Sequence, residues 1–97
     1  MADDDVVFVL GRERVPLSRQ DAKDFNEWIR WDNAQGARPL QRPLKDAIKN
    51  RGGEVLVPTN DVRIVLLEVL DRMAEGGQIQ TGLRRLREVA RLPITGG

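Results

Sequence analysis

Ninety-seven residues with sixteen basic and fifteen acidic side chains give a net charge of +1, which fits one self-sufficient domain and lacks the strong basicity typical of nucleic-acid binders. With no Cys there is neither a disulfide frame nor a thiolate, and with no His the usual near-neutral acid–base group and commonest metal ligand are missing. These absences set the expectation of a protein that is not an enzyme, with no catalytic residue, metal or cofactor.

Residues 1–5 are read as a disordered acidic N-terminus. Asp3-Asp4-Asp5 has no loop pattern around it that would converge three carboxylates on a cation, so a solvated tail is expected. Val6–Leu10 is an uncharged run with apolar side chains on both faces, Val6, Phe8 and Leu10 on one and Val7 and Val9 on the other. Such a strand belongs inside a sheet. Gly11–Glu13 offers a reversal, and Arg14–Leu17 returns with Val15 and Leu17 alternating against Arg14 and Pro16. Proline cannot donate to a ladder on both sides, which places this second strand at an edge.

Ser18 and Asp21 have the spacing of a capping box and open a helix over about 19–32. Its core stripe is Ala22, Phe25 and Ile29, with Trp28 beside them and Trp31 turned nearly opposite. Trp31 is therefore either covered by the loop that follows or a partner-facing anchor, a role in which Trp is enriched. Residues 33–38 read as a polar loop. Leu40, Leu44, Ala47 and Ile48 have helical spacing, and a helix from about Leu40 to Asn50 keeps Pro43 in its first turn. Gly52-Gly53 ends it. Glu54–Pro58 is a third short strand of undetermined direction, with Val55 and Val57 facing one way and Leu56 the other.

The most strongly determined stretch is Thr59–Glu75. At 100° per residue Val62, Val65, Leu66, Val69, Leu70 and Met73 fall within about 140°, a core-facing stripe. Thr59 or Asn60 can cap its first turn, and Gly76-Gly77 supplies the stop. Ile64 and Leu67 fall on the far side, among Arg63, Glu68 and Asp71. Burying each is worth roughly 1.5–3 kcal/mol. They call for a second cover, either another helix of the same chain or a second copy or partner. The last helix spans Gln78–Leu92, starting at Gln78 or at Thr81, and should fold back antiparallel on its predecessor. Residues 93–97 are read as a mobile C-terminal tail.

Arg84, Arg87 and Arg91 share one flank of that last helix, with Glu88 between them. The stripe could lie along phosphates, but without aromatic platforms or a basic second element a solvated face near a helix C-terminus is the favoured reading. The final helix pair resembles a helix-turn-helix in outline, although one side of the second helix is needed for the core. Gly96-Gly97 is similar to the terminal diglycine of ubiquitin-like proteins, whose fold also opens with a hairpin and a helix. Two later helices and a single further strand depart from that pattern. Of the hydroxyl side chains Ser18, Thr59, Thr81 and Thr95, the first three fall at expected helix caps, and capping explains them better than catalysis.

The order β-β-α-α-β-α-α implies an α+β domain over residues 6–92, with a small three-stranded sheet packed by about four helices. The expected function is non-catalytic protein interaction, with another protein or a second copy engaged through Ile64, Leu67 or Trp31. The alternative is nucleic-acid binding through Arg84, Arg87 and Arg91. No basic leader and no apolar run of about 18 residues is present, so the cytoplasm is the expected location and no membrane partner is expected.

Overall fold

The computed structural model describes residues 5–31, 35–77, 79 and 81–94. Its elements are β1 (Val6–Leu10), β2 (Glu13–Leu17), α1 (Arg19–Trp31), a 3-10 turn (Gln35–Ala37), α2 (Arg38–Lys49), β3 (Gly53–Leu56), α3 (Asn60–Glu75) and α4 (Thr81–Ala90). The sheet order is β2-β1-β3, with the most apolar strand in the middle. β1 pairs antiparallel with β2 and parallel with β3, which fixes the direction of the third strand. Leu10 pairs with Glu13, so the reversal is the two-residue loop Gly11-Arg12. Gly11 has φ 63°, the left-handed conformation that such a hairpin turn demands.

The period of two sorts the strand residues cleanly. Val6, Phe8, Leu10, Val15, Leu17, Val55 and Val57 are buried on the inner face. There Phe8 meets Phe25 of α1 edge-to-face, with ring centroids 5.7 Å apart. The core continues through Leu40 and Leu44 of α2, Leu66, Val69, Leu70 and Met73 of α3, and Leu83 and Leu86 of α4. Ser18 Oγ accepts from Asp21 N at 3.1 Å, starting α1, and Thr59 Oγ1 accepts from Val62 N at 3.2 Å, starting α3.

Three expectations need correction. α2 begins at Arg38, ahead of Leu40, because Pro39 is tolerated at a helix start, so Pro43 lies inside the helix and beyond its first turn. The segment read as a polar loop before it holds a buried Ala37, and a Cβ added at Gly36 would stand 2.6 Å from Val65 Cγ2. Glycine there lets the backbone press against α3. Finally, Pro93 and Ile94 do not simply trail from the domain. Asn60 Oδ1 accepts from Ile94 N at 2.8 Å, Asn60 Nδ2 donates to Ile94 O at 3.4 Å, and Ile94 packs on the core. Residues 1–4 and 95–97 lie outside the described residues.

Candidate protein-interaction surface

The α3–α4 seam decides the fate of two sequence-selected residues. Arg63, which the sequence places on the outer side of α3, is buried. Its Nε donates to Asn60 Oδ1 at 2.9 Å and its Nη1 donates to the carbonyl of Ala90 at the end of α4. A guanidinium is well suited to that place, since the last carbonyls of a helix lack intrahelical donors and carry the negative end of its dipole. Farther along α3, Asp71 accepts from Arg87 Nε at 2.6 Å. Residues 63, 67 and 71 recur at intervals of four, so the stripe that makes these two bonds also carries Leu67 into the seam. Leu67 is half-buried against the core, covered by its own chain. Ile64, one step around the helix, is 46% exposed.

Trp31 closes α1 with its ring in solvent, 87% exposed, beside Glu27 and Arg30. The three arginines do come together. Arg84, Arg87 and Arg91 line one shallow groove with Glu88, Ala74 and Ile79. Asp71 occupies Arg87, and Glu88 adds a second carboxylate, which leaves Arg84 and Arg91 as exposed cations on that flank.

At the other end of α4, the helix start presses on β2 and α1. A Cβ added at Gly82 would stand 3.1 Å from Leu17 Cδ2 and 3.2 Å from Asp21 Oδ2. Asp21 is buried there. Its carboxyl is pushed above the ordinary aspartate value, chiefly by desolvation, with the Ser18 hydroxyl opposing the rise and Asp24 adding to it.

The outer face of the sheet is the surface that sequence reasoning underrated. Val7 stands opposite Pro16 on one side and Glu54 on the other, and Val9 stands opposite Arg14 and Leu56. The face is therefore two rows, Pro16–Val7–Glu54 and Arg14–Val9–Leu56. Arg14, Pro16, Glu54 and Leu56 are exposed, and the two valines are half-buried. Leu56 is 62% exposed. Arg14 and Glu54, at opposite corners, form an ion pair across the central strand, and both remain well exposed. Among the described residues the helices pack on the inner face and leave this one open.

The class the coordinates define is a two-layer α+β domain, a mixed three-stranded sheet with its helices on one side. No protein-family model, no curated protein and no solved structure matches the chain. Among the described residues no helix is long and apolar enough to cross a membrane.

Proposed function

We propose that the chain is a non-catalytic protein-interaction domain of the cytoplasm that presents the outer face of its sheet to another protein surface. The observation that carries this reading is the outer face of the sheet, where exposed Leu56 adjoins half-buried Val9 and Val7, opposite a face on which Val6, Phe8 and Leu10 are buried. Contiguous apolar groups left in water favour a partner that removes them from it. Trp31 and Ile64 are further exposed apolar groups, on α1 and α3 of the helical layer. Leu67 contributes less than its sequence position suggests, since it is already half-buried against the core of its own chain. The arginine flank supports nucleic-acid binding less well, because Asp71 and Glu88 offset part of its charge and only weak, salt-sensitive phosphate contact remains.

The test is photocrosslinking in cells from a reactive side chain installed at position 56, compared with one at position 68 on the polar side of α3. Discrete protein adducts from position 56 and none from position 68 are expected. Indistinguishable patterns from the two positions overturn the reading.

A further inference from the structure

Resting on that reading, we infer that the occupant of the open sheet face is a second copy of this chain, docked face to face through a two-fold axis. The pattern of the face is self-complementary. Its acidic corner, Glu54, and its basic corner, Arg14, lie diagonally across the sheet, and the other diagonal carries the apolar Pro16 and Leu56. A two-fold axis lying in the interface along the Pro16–Leu56 diagonal leaves each Leu56 against its counterpart. The same rotation interchanges the charged corners approximately, so that Arg14 of each copy approaches Glu54 of the other. Isologous contact of this kind requires a patch that complements itself, which is the property shown here. The strands of the two sheets then cross steeply, near the orthogonal class of sheet packing.

In the isolated chain the two corners satisfy each other across Val7 and Val9. Exchanging that ion pair for two intermolecular ones uncovers the valines toward the apolar centre of the new interface. The patch holds six side chains against the roughly 20–30 residues a side of a standard stable interface. The association is therefore weak and reversible, and the charged corners set its geometry more than its strength.

Charge reversal tests the pairing. Arg14→Glu makes both corners acidic and Glu54→Arg makes both basic, so each variant repels itself. A mixture of the two restores both intermolecular pairs, while the ion pair within each chain stays broken. Sedimentation is expected to show concentration-dependent dimers for the parent and at least a tenfold rise in dissociation constant for each single variant. An equimolar mixture should return to within about threefold of the parent, as should the doubly reversed Arg14→Glu/Glu54→Arg chain. Unchanged circular dichroism in both variants separates lost association from lost folding. A parent that stays monomeric at millimolar concentration overturns the inference. So do single variants that dimerise as the parent does, or a mixture that stays monomeric. Position-56 adducts to a different protein, with none of twice the chain mass, sink the second copy as occupant and leave the broader interaction reading standing.

Discussion

The two faces of one sheet divide the molecule. Inside, Val6, Phe8 and Leu10 have lost nearly all contact with water, as have Val15, Leu17 and Val55 of the flanking strands. Outside, Val7 and Val9 come from the same five-residue strand yet receive only the partial shelter of an ion pair arching over them. The side chains are of one chemical type. What differs is the layer above them, and so the first set holds the fold together while the second remains free for association.

The sharpest way to break this contrast is to shorten one residue on the packed side. Phe8→Ala is expected to cost about 3–5 kcal/mol, since it removes a fully buried ring and its edge-to-face partner contact with Phe25. Urea unfolding measures it, and a loss under 1 kcal/mol would mean that the inner face is not the core. Next in size is Arg63→Ala, at roughly 1.5–3 kcal/mol. It strips the donor from the Ala90 carbonyl and one partner from Asn60, and hydrogen exchange should quicken first at the end of α4 and at Ile94. The smallest effect belongs to the open side. Leu56→Asp should shift stability by no more than about 0.5 kcal/mol, as for a surface change away from packed features. A loss of several kcal/mol there would show Leu56 to be structural and would erase the difference between the faces.

Much of this was legible from spacing alone, and the illegible parts share one cause. The capped starts of α1 and α3 announce themselves because Ser18 and Thr59 act on backbone donors three residues away. The inner and outer sets of β1 follow from alternation. Whether a layer lies over Val7 and Val9 does not, because apolar residues on both faces of a strand read the same with one covering layer or two. The surplus apolar surface expected on α3 is divided accordingly. Leu67 is half-buried against the core, Ile64 stays partly exposed, and another exposed apolar group, Leu56, lies on the sheet. Arg63 reads as a solvent-facing charge until the end of α4 is placed beside it. Nothing local to residue 63 records a carbonyl 27 residues later. The direction of β3 was equally hidden, since parallel and antiparallel partners draw on the same residue types.

That parallel partnership has a consequence for the nascent chain. Val6–Leu10, uncharged, free of proline and rich in β-branched residues, emerges long before Gly53–Leu56 can occupy its far edge. During that interval of synthesis β1 exposes an unpaired edge to whatever neighbouring polypeptide is at hand. The hairpin return through Glu13, Arg14 and Pro16 protects only the opposite edge, so avoidance of aggregation rests on how soon the later strand arrives.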